Sequence, residues 1–114
     1  MKSDALEITE AYSAARSTHP RVTLDDIRAN IDCEHYFTAG EAIGALGGVH
    51  LSSLNLLTIC ILVCKNGFSV IGKSAPASPE NFDAEKGRTF AYEDAIKQLW
   101  PLMGYALRDR LAAQ

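Results

Sequence analysis

At residues 58–71 the chain reads TICILVCKNGFSVI. On both sides of the Asn66-Gly67 pair, β-branched, aliphatic and aromatic residues predominate, and these are the types that strands favour. An Asn-Gly pair between two such runs is typical of a two-residue type I′ turn, because both central residues of that turn need a positive φ angle. The central segment at residues 54–74 is therefore predicted to contain a β-hairpin that pairs Lys65 with Phe68 and Val63 with Val70.

This register predicts a hairpin with apolar side chains on both faces. One face would carry Ile59, Ile61, Val63, Phe68 and Val70, and the other Thr58, Cys60, Leu62, Cys64, Ser69 and Ile71. A simple two-layer domain buries only one face of an antiparallel sheet, so the second face needs a cover from the N-terminal helices or from a partner subunit. The chain has few elements to spare, and we therefore expect a homo-oligomer.

Helical patterns precede the hairpin. Residues 3–17 form one predicted helix with Ser3 or Asp4 as its cap, and residues 24–31 form a second with Thr23 as its cap. A short strand is predicted at residues 36–43, where aromatic and β-branched residues stand before a glycine.

Two further helices are predicted after the hairpin. The first covers residues 83–99, with Asn81 or Asp83 as its cap and a stripe of small residues, Gly87, Ala91 and Ala95, that allows close packing against a neighbour. The Trp100-Pro101 pair is expected to end it, since proline lacks a backbone N–H. A last helix over residues 102–113 would then turn inward Leu102, Met103, Ala106, Leu107 and Leu111. The pattern as a whole predicts one α+β domain over residues 1–114, with an antiparallel sheet built on the hairpin and packed with the N-terminal helices and two C-terminal helices.

Composition excludes several classes of protein. The chain has 114 residues, of which 47% are hydrophobic, and this excludes a disordered tail. Its 11 basic and 14 acidic residues exclude a strongly basic binder of duplex nucleic acid. The longest nearly apolar run, residues 54–64, is shorter than the about 20 residues that a membrane helix needs. With no signal-peptide pattern and three cysteines, we expect a cytoplasmic protein without membrane association.

The sequence offers no catalytic constellation. Its three histidines are scattered, no serine lies in a nucleophile-elbow pattern, and no paired metal motif is present. Cys60 and Cys64 would lie about 13 Å apart along one strand, too far for a disulfide, and are interpreted as small buried side chains. We expect a protein that is not an enzyme and has no cofactor or metal.

The loop before the third predicted helix is the candidate ligand site. Phe82 could stack on a nucleobase while Asn81 and Asp83 form hydrogen bonds to it, and Arg88 and Lys97 could contact a phosphate. In the alternative interpretation Asn81 and Asp83 cap the helix and Phe82 is a core contact. Arg108 fits either a cross-subunit anion site or a solvated helix end.

The second half of the chain carries several distinctive motifs in order. They are Asn66-Gly67-Phe68, Asn81-Phe82-Asp83, Trp100-Pro101-Leu102 and Gly104-Tyr105. In these motifs the last 60 or so residues resemble a family of small phage proteins typified by short proteins of the N4 and Sf6 phages. The pattern is also similar to the Thoeris anti-defence "sponge" proteins of phages and prophages.

The second resemblance implies a function. It implies a small oligomer, a dimer or a hexamer, that binds a cyclic ADP-ribose isomer or a cyclic oligonucleotide in the host cytoplasm and sequesters it without cleavage. It also implies a pocket at Asn81, Phe82 and Asp83 that a neighbouring subunit closes, whereas the roles of Arg88, Lys97 and Arg108 follow from charge alone. The alternative function is a phage accessory module that binds a host protein, which a flat apolar surface without convergent polar groups would favour.

Overall fold

A three-stranded antiparallel sheet organises the chain in the computed structural model, which describes residues 1–114. Its strands are β1 (Ile31–Thr38), β2 (Thr58–Cys64) and β3 (Ser69–Ser74), and they lie in the order β1-β2-β3. The predicted hairpin is β2 and β3, so β2 is the central strand and β1 pairs with its other edge.

Four α-helices accompany the sheet, namely α1 (Asp4–Arg16), α2 (Leu24–Ala29), α3 (Ala39–Ala45) and α4 (Ala84–Ala112). Two 3₁₀ turns, Ser52–Leu56 and Pro79–Asn81, lie in the connections before β2 and before α4. The predicted α+β class is confirmed. None of the helices combines the length and the apolar composition that crossing a membrane requires.

The hairpin turn has three residues instead of the predicted two. Leu62 pairs with Val70 and Val63 with Ser69, so the register differs by one residue from the prediction. The Gly67 N–H donates to the Cys64 carbonyl at 2.9 Å, and Gly67 has φ +89°, whereas Asn66 does not have a positive φ. This is the pattern of a type I turn followed by a left-handed glycine, and the type I′ prediction is wrong because that turn needs positive φ at both residues.

The change of register transfers every β3 side chain to the opposite face from the one predicted. Val70 now lies on the inner face, with the buried side chains of β2, and Ile71 lies outside. We call the other side of the sheet the outer face; the strand pairing assigns to it Cys33, His35, Phe37, Ile59, Ile61, Val63, Ser69, Ile71 and Lys73. Ile71 is 56% exposed, and the three β2 side chains of the outer face are only half-buried.

The inner face packs against α4. Gly87, Ala91 and Ala95 are buried there, so the predicted close packing of this small-residue stripe is confirmed, with the sheet as the neighbour. Leu24 and Ile27 of α2 belong to the same core. The N-terminal helices therefore add to the inner side of the sheet.

The two cysteines of β2 are buried, as the sequence predicts. Cys60 and Cys64 are buried and free, and the interpretation of both as small core residues is confirmed. Burial raises the pKa of the Cys60 thiol to about 11.

Two predicted boundaries before the hairpin are wrong. Helix α2 ends at Ala29, and the strand begins at Ile31 and ends at Thr38, where residues 36–43 were predicted. The reason is a capping box: the Thr38 side chain accepts from the Glu41 N–H, and the Glu41 side chain accepts from the Thr38 N–H. This reciprocal pair begins α3 directly after the strand.

The predicted break at Pro101 is also wrong, since α4 is one continuous helix of 29 residues. A proline removes one helical hydrogen bond, and the acceptor that it leaves is the carbonyl of Lys97, an exposed residue open to water. Next to it, Trp100 Nε1 donates to the Val22 carbonyl at 3.3 Å. Leu102 and Leu111, predicted to face inward, are 45% and 37% exposed.

Candidate functional site

Two adjoining clefts meet at Phe82, the half-buried aromatic residue that precedes α4. The larger cleft has a volume of about 420 Å³ and the smaller one about 150 Å³. Phe82 is a lining residue of both, so it lies where the two clefts adjoin. The predicted candidate residue thus lies at the centre of a concave surface.

The larger cleft is formed by the end of β1, by α3, by the turn Ser52–Leu56 and by the start of α4. Its lining residues are Tyr36, Phe37, Thr38, Glu41, Asn55, Thr58, Phe82, Ala84 and Arg88. Gly87 allows α4 to approach this part of the sheet, because a Cβ at that position would lie 2.7 Å from Thr58 Oγ1. The close approach brings the first turns of α4 beside the ends of β1 and β2.

Two aromatic residues, Tyr36 and Phe82, and one unpaired cation, Arg88, define the chemistry of the larger cleft. Arg88 is exposed and makes no salt bridge. Glu41 is the one acidic residue of the lining, and its Oε1 accepts the Thr38 N–H at 3.2 Å. A ligand with an aromatic ring and an anionic group would match these residues, since rings stack on aromatic side chains and a guanidinium binds phosphate.

Asp83 is the N-cap of α4. Its Oδ1 accepts hydrogen bonds from the backbone N–H groups of Glu85 at 3.0 Å and Lys86 at 3.1 Å. The capping alternative is therefore confirmed for Asp83 and not for Asn81, which lies in the preceding 3₁₀ turn. Both residues also line the smaller cleft, together with Lys86 and Phe90.

The six candidate residues do not converge on one place within the chain. Phe82 and Arg88 line the larger cleft, and Asn81, Phe82 and Asp83 line the smaller one. Lys97 lies about 13 Å and Arg108 about 30 Å beyond Arg88 along α4, at a rise of about 1.5 Å per residue. Neither of these two cations lines a cleft at Phe82.

Sequence reasoning missed the half of the larger cleft that comes from the first part of the chain. Tyr36, Phe37, Glu41 and Asn55 had no motif that marked them as ligand residues. The spacing Thr38-x-x-Glu41 was a readable signal for the start of α3. That helix lies near Phe82 because β1 pairs with β2, and no local sequence pattern predicts this pairing.

The hydroxyl of Tyr36 is unsuited to acid–base chemistry at neutral pH. Burial raises the pKa of its phenol well above the usual value, and the hydroxyl donates to Glu34 Oε1 at 3.1 Å. The phenol therefore stays protonated and neutral. No group of three His, Cys, Asp or Glu side chains is placed to hold a metal ion.

Comparison with known proteins gives one match. A family model described as the Phage protein (N4 Gp49/phage Sf6 gene 66) family matches residues 22–111. No curated protein and no solved structure matches the chain. The matched range includes all three strands, all of α4 except its last residue, and both clefts at Phe82.

Proposed function

We propose that this chain, which belongs to the Phage protein (N4 Gp49/phage Sf6 gene 66) family, binds a nucleotide-derived immune signal of the cyclic ADP-ribose class and sequesters it without cleavage. It would act as an anti-defence protein in the cytoplasm of the infected cell. The observation that carries this proposal is the larger cleft, whose lining includes the aromatic residues Tyr36 and Phe82 and the unpaired Arg88.

The size and the chemistry of the cleft support a nucleotide. Its volume of about 420 Å³ falls within the range of about 300–1,000 Å³ that is usual for small-molecule sites. An aromatic ring can lie against a nucleobase, and the guanidinium of Arg88 can form two parallel hydrogen bonds to a phosphate. The same groups would suit a cyclic oligonucleotide, which we include in the proposal as a second ligand class.

Sequestration is proposed in place of hydrolysis. Asp83, the carboxylate closest in sequence to Phe82, is held by two backbone N–H groups of α4, and Glu41 by the N–H of Thr38. Both carboxylates therefore already cap a helix N-terminus, and no other acidic residue and no histidine belongs to the lining of either cleft. Binding without turnover is what these contacts favour.

We also propose that a second copy of the chain covers the outer face of the sheet. Ile59, Ile61, Val63 and Ile71 form its apolar centre, and no acidic residue belongs to it. A two-fold axis along β2 would set Ile61 against its own counterpart and Lys73 against the partner's Phe37, a favourable cation–aromatic pairing. The outer face is equally the observation that favours the second candidate function, a phage accessory module that binds a host protein.

Thermal denaturation with a panel of cyclic ADP-ribose isomers and cyclic dinucleotides tests the proposed ligand. A ligand at about 1,000 times its Kd stabilises the folded state by about 4 kcal/mol, which gives a clear rise in Tm. Heating the complex afterwards should release the ligand intact, as chromatography of the supernatant would show. A panel without any rise in Tm contradicts the proposal, and a hydrolysed product that depends on native protein contradicts sequestration.

A further inference from the structure

We infer that Asn55 is the specificity-determining residue of the larger cleft, and that it selects ligands which present a hydrogen-bond acceptor, a carbonyl oxygen or a ring nitrogen, at that point. This inference rests on the proposed function and adds the ligand group that the cleft recognises. Asn55 lies in the turn Ser52–Leu56 and lines the larger cleft together with Arg88.

A hydrogen bond fixes the orientation of the Asn55 amide. His50 Nε2 lies 2.9 Å from Asn55 Oδ1. An amide oxygen can only accept, so the histidine nitrogen must carry the proton and donate. Neutral imidazole with its proton on Nε2 and charged imidazolium both satisfy this bond.

The backbone of α3 lies close to both Asn55 and His50. A Cβ added to Gly40 would lie 2.0 Å from Asn55 Oδ1 and 2.7 Å from His50 Nε2. Gly40 is buried, and its lack of a side chain is what allows the amide and the imidazole to lie against the helix. The oxygen of Asn55 is therefore enclosed between His50 and Gly40.

The other half of the amide is left for a ligand. Asn55 is an exposed residue, and its Nδ2 makes no hydrogen bond within the chain, whereas its Oδ1 is occupied. An amide nitrogen carries two donors and no acceptor. Asn55 therefore presents donors alone to the cleft, without a free acceptor of its own.

Exchange of the amide for a carboxylate tests this assignment. Isothermal titration of cyclic ADP-ribose and of cyclic di-GMP would be compared between the wild-type protein and the Asn55→Asp variant. For each probe that the wild type binds, we expect an affinity lower by about tenfold or more, because two donors become acceptors and a negative charge is added. The matched control is Asn66→Asp, the same change in the hairpin turn at the far end of β2, with an expected change below about twofold; its Oδ1 accepts the Phe68 N–H, which a carboxylate also does.

Two substitutions of His50 test the orienting contact without touching the cleft residue. His50→Gln keeps an N–H donor for Asn55 Oδ1, and His50→Phe removes it. We expect affinity within about twofold of wild type for the glutamine variant and a loss of about fivefold for the phenylalanine variant, because only the second frees the amide to rotate. The Tm of each variant would show that both remain folded.

The outcomes separate the inference from the proposed function. Equal affinities of the wild type, Asn55→Asp and His50→Phe for a probe that binds would overturn the role of Asn55 and leave the proposed function in place. A wild-type protein that binds neither these probes nor any other cyclic nucleotide of the panel would overturn both.

Discussion

Gly72 of β3 lies directly against Ala91 of α4: a Cβ at position 72 would fall 2.0 Å from the Ala91 carbonyl oxygen. The helix backbone has no flexible end to move aside, so the contact sets the distance between α4 and the sheet. Both residues are buried. This contact ties the predicted small-residue stripe of the helix to one strand, and it leads to the first prediction.

Gly72→Ala should destabilise the protein by about 2–3 kcal/mol, because the methyl group forces backbone apart in a packed core. Gly104→Ala is the matched control, since a Cβ there meets nothing within 4 Å. Gly104 lies inside α4, where alanine is favoured over glycine by up to about 1 kcal/mol. Urea denaturation should therefore move the two midpoints in opposite directions, and a Gly72→Ala midpoint at or above wild type would show that the helix and the sheet are not in contact there.

The capping role of Asp83 can be tested separately from a role in ligand binding. Asp83→Ala should cost about 1 kcal/mol of stability through the lost cap, and should lower affinity for the nucleotide signal about tenfold if the carboxylate also binds ligand. Asp83→Asn keeps a good cap and removes the charge. Thr23→Ala, which removes the side chain that accepts the Asp26 N–H at 3.0 Å, controls for cap loss away from the clefts. Loss of stability with unchanged affinity in Asp83→Ala would show that Asp83 is a helix cap alone and that the ligand makes no contact with it.

Arg88 should be the dominant cation of the larger cleft. We expect Arg88→Gln to weaken binding of a phosphate-containing probe by about tenfold, since charged hydrogen bonds contribute about 1.5–3 kcal/mol. Lys97→Gln and Arg108→Gln, which neutralise cations remote from the cleft on the same helix, should change affinity less than about twofold if a single chain forms the site. A tenfold effect at Lys97 or Arg108 would instead indicate a site completed by a neighbouring subunit. Titration calorimetry at two salt concentrations measures both.

The outer face of the sheet should carry the contact between copies. Ile71→Lys places a charge on an already exposed side chain, so the monomer should keep its fold while the oligomer dissociates. Ile8→Lys, on a side chain of α1 that is also exposed, should leave the oligomer intact. Light scattering coupled to size-exclusion chromatography gives the mass of each. A wild-type protein that is monomeric at micromolar concentration would contradict the proposed homo-oligomer.

Stability should fall at acid pH in part through Asp26. Hydrogen bonds from the Thr23 backbone N–H and side chain lower the pKa of this carboxyl in the folded protein. A lowered folded pKa means that the contribution is fully present above the unfolded pKa, about 3.9, and is lost as pH falls through the folded value. The group is largely exposed, so solvent screening keeps the effect below about 1 kcal/mol. Asp26→Asn should flatten the dependence of unfolding free energy on pH below about pH 4, and parallel curves would contradict this.

Local chemistry was sufficient to predict much of the fold. The β-prone residues on either side of Asn66-Gly67 identified β2 and β3, because strand preference depends on the residue type at each position. Thr23 was identified as a helix cap from its short polar side chain, Asp83 was one of two candidates for the cap of α4, and the small residues of α4 were identified as a packing surface. These features depend on residues within a few positions of one another.

The candidate site was predictable only in part, for the same reason. Phe82 and Arg88 lie close together in sequence and were found from it. The structure places near them Tyr36, Phe37 and Asn55. This arrangement depends on the pairing of β1 with β2 and on the close approach of Gly87 to Thr58, which the lack of a side chain at Gly87 allows. No local pattern encodes that pairing.

The register of the hairpin shows the same division. An Asn-Gly pair is compatible with a two-residue or a three-residue loop, and the choice reverses the side of the sheet that every β3 side chain occupies. Burial of Val70 under α4 favours the longer loop, and Gly67 permits it with φ +89°. The sequence by itself determined which segments are strands, where the helices are capped and where α4 can pack closely, since these depend on near neighbours. Only the tertiary structure decided the register, the continuity of α4 through Pro101 and the composition of the cleft, because each is set by the free energy of burying one distant segment against another.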